Sequence, residues 1–272
     1  KPLHYTIINN TLFFSSEILT LTKIPGFKKK INLNAVSSYL SFRYPVDDEN
    51  LFFKDIYRLE NGSYIKFNLN RSLNPTRQKF WDIPQNNNHF DNLNLSDYEE
   101  KLDNLLQSSV KNQLVSDVPL GILLSGGLDS SLIASIASKF KKQLNTYSVS
   151  FVEKKYDESE KAKLVSNHIG SKHYDLKIDK NFFIENLQTL IDIKGAPASI
   201  PHEFALYCLC KEIKKEVSVL LSGEGADEFF GGYSRVQKSP FDFNKTNLLK
   251  QNFDKKKFLN FFLDRYKWFG VQ

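Results

Sequence analysis

The chain has 272 residues, 41% of them hydrophobic and 25% charged, which is ordinary for a globular protein and long enough for two domains. No uninterrupted apolar run approaches the roughly 20 residues that span a bilayer, and the first residues lack a secretory signal pattern, so we expect neither a membrane span nor secretion. The net charge of +6 comes with scattered lysines and no interleaved aromatic stripe, which argues against a nucleic acid as partner.

The first region, to about residue 83, predicts mainly β-strands. Residues 3–15 form two β-prone runs around Asn9 and Asn10, which tolerate the positive φ angles of a tight hairpin. Residues 32–40 predict a short helix and residues 63–69 a further strand. The stretch 82–96 is polar, rich in Asn and without periodicity, so we interpret it as a linker.

After residue 96 the pattern changes to alternating helices and strands. Ser96 and Glu99 resemble a capping box, and apolar residues at helical spacing follow as far as Val110. Strands are predicted at 121–124, 146–151, 172–178 and 217–222. This alternation is typical of βαβ units, in which a parallel sheet is covered by helices on both faces.

Helices are predicted between these strands and at the end of the chain. Gly170 is a candidate C-cap for one of them. One helical face is predicted for Leu132, Ile133, Ile136, Ala137 and Phe140, and the remaining helices are predicted at 157–170, 181–194, 203–215 and 253–270. Cys208 and Cys210 are two residues apart on a predicted helix, so they face different sides and predict neither a disulfide nor a metal pair. Free cysteines fit a reducing, cytoplasmic compartment.

Two predicted strands end in similar polar loops. Residues 123–131 read LLSGGLDSS, and residues 220–228 read LLSGEGADE. Because ligands bind beyond the carboxyl ends of parallel strands, we expect both loops to open on one edge of the sheet. The glycines of the first loop allow a tight turn, Ser130 and Ser131 are candidate caps of the next helix, and free N–H groups suit a phosphate.

The residue types within the two loops limit the kinds of site that they can form. The chain contains no Walker string, and a nucleophile elbow would require glycine where Leu123 stands. Asp129 would repel a phosphate unless a cation lay between them, so the pattern implies Mg²⁺. In the second loop, Asp227 is a candidate second metal ligand, and Glu224 is a candidate proton acceptor or amine-orienting group.

The loops together resemble a known family. SGGLDSS is similar to the pyrophosphate-binding loop of the ATP pyrophosphatases, and with LLSGEGADEFFGGY it resembles the synthetase domain of glutamine-dependent asparagine synthetases. The segments from KPLHY to FW are similar to the C-terminal half of that family's glutaminase domain. The resemblance implies a partial class II glutamine amidotransferase domain at 1–83, a linker at 84–96, and at 97–272 an ATP-binding synthetase domain truncated at its C-terminus.

The implied fold is α/β, with a doubly wound parallel sheet of the adenine nucleotide α-hydrolase type, preceded by a partial, β-rich α+β glutaminase domain. The implied reaction is an ATP-dependent ligation. The side-chain carboxylate of aspartate would become an adenylate with release of pyrophosphate, and glutamine-derived ammonia would displace AMP to give asparagine. The implied partners are therefore small molecules, and a homodimer remains open.

The resemblance also assigns roles to individual residues. Glu224 would be catalytic, and Asp129 and Asp227 would hold Mg²⁺. Leu124 and Val149 would line the adenine pocket. The full implied ATP-binding set is Leu124, Ser125, Gly126, Gly127, Leu128, Asp129, Ser130, Ser131, Val149, Ser222 and Gly223. Asp157 is a weaker candidate, and helix capping is the role that we favour for it.

Other features of the family have no counterpart here. The family's glutaminase has an N-terminal nucleophilic cysteine upstream of the KPL segment, whereas this chain begins with Lys1. The family's later segment of the synthetase domain, which carries a basic residue near the adenylate, is also missing. The chain has no methionine. We therefore expect a piece of a longer or processed protein, and we expect this piece by itself neither to hydrolyse glutamine nor to complete amide synthesis. The five histidines have no metal-binding spacing, and we interpret them as surface or packing residues: His4, His89, His168, His173 and His202.

Three alternatives stay open. One is a related ligase or amidotransferase that acts on a sugar, peptide or β-lactam precursor carboxylate. A second is a tRNA-modifying ATP pyrophosphatase, which would fit the positive charge. The third is a nucleotide-binding protein without catalytic activity.

Overall fold

The computed structural model describes residues 2–45, 51–68, 75–84, 93–153, 157–199 and 201–233. The chain divides into two units: unit 1 comprises residues 1–87, 188–200 and 253–272, and unit 2 comprises residues 88–187 and 201–252. Across the described ranges, no helix has the length and apolar character needed to cross a membrane. The helix predicted at 253–270, most of the predicted linker and His89 lie outside the described residues.

Unit 1 opens with the predicted hairpin. Strands β1 (His4–Ile8) and β2 (Thr11–Ser15) pair antiparallel. Asn9 and Asn10 form the turn with φ angles of 48° and 57°, in the left-handed region that Asn tolerates better than most residues. The hairpin prediction is therefore confirmed, and β3 (Tyr57–Arg58) extends the sheet in the order β2-β1-β3.

The rest of unit 1 combines short helices with a second sheet. Helix α1 (Ile18–Thr22) was not predicted, whereas α2 (Leu33–Phe42) confirms the helix predicted at 32–40. Strands β4 (Ser63–Lys66) and β5 (Thr76–Lys79) pair antiparallel, so the strand predicted at 63–69 exists but ends earlier. The core of this unit is centred on Leu21, Leu51 and Ile56.

Unit 2 contains a parallel sheet of four strands among the described residues. These are β6 (Leu120–Leu123), β7 (Asn145–Phe151), β8 (Lys172–Ile178) and β9 (Val219–Leu221), in the order β8-β7-β6-β9. The chain proceeds outward from β6 to β8 and then returns to the other side of β6. The order therefore reverses between β6 and β9, and this is the point at which such sheets bind ligands.

Unit 2 has six helices among the described residues, and helices cover both faces of the sheet. They are α3 (Leu95–Gln113), α4 (Leu128–Phe140), α5 (Ser159–Ile169), α6 (Lys180–Lys194, which continues into unit 1), α7 (Pro201–Ile213) and α8 (Ala226–Phe230). On one face, Ile122 packs with Ala134, Ile136 and Ala137 of α4. On the other face, Leu209 of α7 packs against β7. The predicted α/β alternation is thus confirmed.

Several predicted details of the helices need correction. Ser96 lies inside α3 and does not cap it, because Asn94 and Asp97 form the capping box: Asn94 Oδ1 accepts from Asp97 N at 3.0 Å, and the Asp97 carboxylate accepts from Asn94 N at 3.2 Å. Ser130 and Ser131 also lie inside their helix, since α4 begins directly after Gly127.

The core face of α4 differs from the predicted one as well. Leu132 and Phe140 are 44% and 41% exposed, whereas Ala134 is fully buried. Because residues three and four apart share a helix face, the inward side is centred on Ala134 and Ala137. The predicted C-cap of α5 is confirmed, since Gly170 has a φ of 67°.

The buried His4 and the half-buried His173 have packing roles, as predicted. His4 Nδ1 lies 3.2 Å from Ser16 O, and His173 Nδ1 lies 3.0 Å from Thr146 Oγ1. Burial lowers the pKa of both imidazoles, because it disfavours their charged form.

The capping box of α3 gives a stability test. Asn94→Ala removes the acceptor for the Asp97 N–H group and should lower the free energy of unfolding by about 1 kcal/mol. Ser96→Ala is the matched control and should change it by less than about 0.5 kcal/mol, because surface substitutions away from a cap have small effects. Urea unfolding of both variants measures the difference. A larger loss for Ser96→Ala than for Asn94→Ala would contradict this assignment.

Candidate active site

The two polar loops leave the sheet side by side. β6 and β9 are parallel neighbours with Ile122 opposite Leu221, so their carboxyl ends lie at the same edge. The loops also touch: a Cβ on Gly223 would lie 2.9 Å from Asp129 Cβ and 3.1 Å from Ser130 N. The second loop therefore packs its backbone directly on the first turn of α4, which only a glycine allows.

Hydrogen bonds hold the first loop in a closed conformation. Ser125 Oγ lies 3.0 Å from Ser130 Oγ and accepts from Gly127 N at 3.3 Å. Ser130 Oγ also donates to Gly127 O at 3.3 Å. The loop is fixed against the neighbouring helix at Gly126, whose φ is +79° and where a Cβ would lie 2.6 Å from Ala162 N. The position and the conformation both require glycine.

The start of α4 provides the features of an anion site. Its N-cap is Gly127, which makes no side-chain hydrogen bond, and the first N–H group bonded back to Gly127 O is that of Ser131 at 3.1 Å. The N–H groups of residues 128–130 therefore have no partner within the helix. Together with the positive end of the helix dipole, they favour a negatively charged group at this place.

A cavity of about 810 Å³ opens in front of both loops, a volume in the range of small-molecule sites. Its lining includes these predicted site residues: Leu124, Ser125, Gly127, Asp129, Ser130, Val149, Ser222, Gly223, Glu224 and Asp227. Gly126, Leu128 and Ser131 are not among the lining residues. Leu128 is 84% exposed, and the Ser131 hydroxyl is buried with no hydrogen-bond partner among the described residues.

One wall of the cavity comes from α7, which the sequence analysis did not connect to the site. The residues are His202, Ala205, Leu206 and Leu209, whose spacing of i, i+3, i+4 and i+7 marks one helical face. That periodicity was the available signal. His202, interpreted above as a surface or packing residue, is exposed but lines the cavity, and its Nε2 lies 3.4 Å from Glu224 Oε1.

One part of the cavity lining is acidic. Glu224, Asp227 and Glu228 all line it. Tyr233 Oη donates to Glu228 Oε1 at 2.7 Å, and this hydrogen bond raises the pKa of Tyr233 to about 12. Asp227 Oδ1 lies where a Cβ on Gly232 would be, 1.7 Å from that position. Gly232 is therefore required for the conformation that Asp227 adopts.

The candidate metal ligands are both at the cavity. Asp129 comes from α4 and Asp227 from α8. No group of three or more His, Cys, Asp or Glu side chains that could hold a metal occurs among the described residues. Two carboxylates suit Mg²⁺, which usually keeps several waters and binds through one or two carboxylates and substrate phosphates.

Asp157 does not line the cavity and lies directly before Glu158, the N-cap of α5, so its carboxylate contacts the start of that helix without being the N-cap itself. Its carboxylate accepts from Ser159 N at 3.1 Å and from Ser159 Oγ at 3.0 Å. These hydrogen bonds lower the pKa of Asp157, since they stabilise the charged carboxylate. Glu158 lines the cavity instead, and Lys161 Nζ pairs with it at 2.9 Å.

Two family models match different parts of the chain. The family model described as Asparagine synthase matches residues 101–267, and the one described as Glutamine amidotransferase domain matches residues 1–81. Asparagine synthetase (glutamine-hydrolyzing) 1 of Bacillus subtilis (strain 168) is 32% identical over 241 residues, which cover 86% of this chain and 36% of that protein. Asparagine synthetase (glutamine-hydrolyzing) 3 of the same organism is 31% identical over 248 residues, with coverages of 86% and 39%.

Among solved structures, an NMN synthetase from Francisella tularensis matches with a TM-score of 0.35 and 20% identity, over 53% of this chain and 60% of that one. A likeness at this level supports no conclusion about this chain. The two Bacillus relatives are much longer, since the chain spans 36% and 39% of their length.

The contact between the loops can be tested at Gly223. Gly223→Ala adds a Cβ against Asp129 and Ser130 and should separate the loops, at a cost of about 1–3 kcal/mol. ATP binding in the presence of Mg²⁺ should weaken by roughly tenfold or more. Isothermal calorimetry on the full-length protein measures the affinity.

Gly170→Ala is the matched control for that variant. Gly170 has a φ of +67° and no atom within 4 Å of an added Cβ, so the substitution should cost stability by about 1 kcal/mol and leave the ATP affinity unchanged. Equal ATP affinities for Gly223→Ala and the unaltered protein would contradict the loop contact.

Proposed function

Because this chain belongs to the asparagine synthase family, we propose that it carries the adenylating site of an ATP-dependent amide-forming ligase. The proposed reaction activates the side-chain carboxylate of aspartate with ATP, releases pyrophosphate, and forms asparagine when ammonia displaces AMP. The observation that carries this proposal is the contact between Gly223 and Asp129. It brings an anion-binding loop and an acidic loop to the same cavity.

In this proposal the first loop binds the phosphates of ATP. The free N–H groups at the start of α4 point to the place where negative charge grows as pyrophosphate leaves. Ser125 and Ser130 line the cavity and hydrogen-bond each other at 3.0 Å, and Ser130 Oγ donates to Gly127 O. Each hydroxyl would rotate away from its present acceptor to donate to a phosphate oxygen. Gly126 fixes the loop on α5, and Ser131 supplies a buried hydroxyl without a partner in the described part of the chain.

The apolar wall supports binding of the adenine ring. Leu124 is 1% exposed and lines the cavity with Val149, and α7 adds Ala205, Leu206 and Leu209. A flat heteroaromatic ring gains from leaving water for such a surface. Ser222 and Gly223 at the end of β9 complete the proposed nucleotide site.

The residues also fit a magnesium ion. Asp129 and Asp227 would hold it, together with phosphate oxygens of the substrate. A bound Mg²⁺ would neutralise phosphate charge next to these carboxylates. Without a cation, the carboxylates lining the cavity would repel the anionic nucleotide, so the acidity of this cavity itself favours a metal.

Glu224 is the proposed catalytic residue. Its carboxylate lines the cavity and is exposed, so that a ligand in the cavity can reach it. We assign it to the second half of the reaction, as acceptor of the proton that the amine nucleophile loses. Its backbone N–H donates to Ser222 Oγ at 3.4 Å, which ties Glu224 to the end of β9.

Membership of the same family is the basis for a proposed division of the chain into domains. We propose that residues 1–83 are the C-terminal part of a class II glutamine amidotransferase domain, that 84–96 form a linker, and that 97–272 belong to a synthetase domain of the ATP pyrophosphatase type. The proposed source of ammonia is therefore glutamine. We propose a cytoplasmic location, with the free thiols of Cys208 and Cys210 as support.

Aspartate-dependent exchange of labelled pyrophosphate into ATP tests the proposed adenylation on the full-length protein. Exchange should require aspartate and Mg²⁺. Exchange with a sugar or peptide carboxylate but not with aspartate would overturn the proposed acceptor. If no acid supports exchange while ATP binds, the adenylation proposal itself fails.

Ser130→Ala tests the role of the first loop in this assay. Removing one donor to the developing charge should lower the exchange rate by about tenfold or more. Ser138→Ala is the matched control on the same helix, because its hydroxyl donates to Ser135 O at 2.8 Å and does not line the cavity. Similar rates for the two variants would contradict the phosphate-binding role.

A further inference from the structure

The contact between His202 and Glu224 is not explained by nucleotide binding. His202 Nε2 lies 3.4 Å from Glu224 Oε1, and both side chains line the cavity. The two residues come from different elements, since His202 is in the first turn of α7 and Glu224 is in the loop after β9. The contact therefore joins the acidic loop to the helix that forms the apolar wall.

The backbone of α7 places His202 on the cavity side of the helix, and this placement does not depend on the rotamer of its side chain. Ala205, Leu206 and Leu209 line the cavity from the same face of α7. Because the Cβ atoms at i, i+3, i+4 and i+7 lie on one side of a helix, His202 occupies the polar end of this face. Its imidazole thus remains on the cavity side of α7.

The surrounding charges give the imidazole a specific role. Among the described lining residues, the ionisable groups other than His202, Tyr147 and Tyr233 are carboxylates: those of Asp129, Glu158, Glu224, Asp227 and Glu228. Tyr233 already donates to Glu228. His202 therefore lies beside Glu224 as Tyr233 lies beside Glu228. In each pair, a side chain that can donate a hydrogen bond is next to one carboxylate.

We propose that His202 is a positioning residue for Glu224. Its imidazole donates Nε2–H to Glu224 Oε1 and leaves the other carboxylate oxygen to face the amine nucleophile. This rests on the proposed function. In the step concerned, the nitrogen lone pair of ammonia forms a bond to the acyl carbon of the adenylate. The bond from that carbon to the AMP oxygen breaks, AMP leaves with the electron pair, and a proton of the resulting ammonium passes to Glu224.

The test separates the two half-reactions in the full-length protein. His202→Ala should lower the rate of amide formation from added ammonia by about tenfold, the effect expected for losing a hydrogen bond to a charged group. Aspartate-dependent pyrophosphate exchange should change by less than about twofold, because the proposal assigns Glu224 to the later step, in which ammonia attacks the adenylate. His202→Gln retains an N–H donor and should restore amide formation to within about threefold of the unaltered protein.

His168→Ala is the matched control, because His168 lies in the last turn of α5 and does not line the cavity. It should leave both rates unchanged. Undiminished amide formation in His202→Ala overturns the proposal, as does an equal loss in both half-reactions or a failure of His202→Gln to restore the rate. The absence of aspartate-dependent exchange in the unaltered protein is a different result, and it overturns the proposed function.

A spectroscopic measurement tests the positioning role independently of activity. Nitrogen-15 NMR of the histidine side chains should show His202 protonated at Nε2, with a signal that shifts in Glu224→Ala. A His202 ring protonated at Nδ1 alone, or a signal that Glu224→Ala leaves in place, overturns the proposed hydrogen bond. This result stands even where a variant loses activity for another reason.

Discussion

The close approach of Gly223 to Asp129 is the constraint on which the site depends. β6 and β9 are neighbours in the sheet although about a hundred residues separate them in the chain, because the strand order reverses between them. The neighbouring strand ends would by themselves bring the two loops to the same edge of the sheet, without bringing them into contact. Only a residue without a side chain allows the second loop to rest on the first turn of α4, and this makes the anion-binding loop and the acidic loop two walls of one cavity.

Charge balance explains why the cavity needs both loops. A helix N-terminus with free N–H groups attracts phosphate, whereas Asp129, Asp227 and Glu224 repel it. The two tendencies are compatible when a divalent cation is shared between carboxylates and phosphates, and when one carboxylate is reserved for a proton. The hydrogen bond from Tyr233 to Glu228 and the 3.4 Å contact between His202 and Glu224 give two of the acidic side chains a partner. Each carboxylate can then have a separate task.

The sequence predicted the parts of this molecule that depend on local patterns. The Asn9–Asn10 hairpin, the strand at 172–178 and the αL cap at Gly170 were all predicted, because turn residues and short periodicities determine them. The capping box of α3 was placed two residues too late, since Asn94 with Asp97 and Ser96 with Glu99 offer equivalent patterns one after the other. Only the backbone geometry distinguishes them.

The residues of the site that come from elements distant in the chain could not be predicted from the sequence. The periodicity of α7 marks one helical face but does not indicate which cavity that face lines, so the sequence does not distinguish His202 from the other histidines. The proposed reaction joins an acid to the α-phosphate of ATP. Its most direct test is to supply the full-length protein with aspartate labelled with oxygen-18 in the side-chain carboxylate, and to analyse the AMP formed with ammonia by mass spectrometry. The account predicts transfer of one labelled oxygen into AMP, whereas unlabelled AMP, or ADP and phosphate as products, would contradict it.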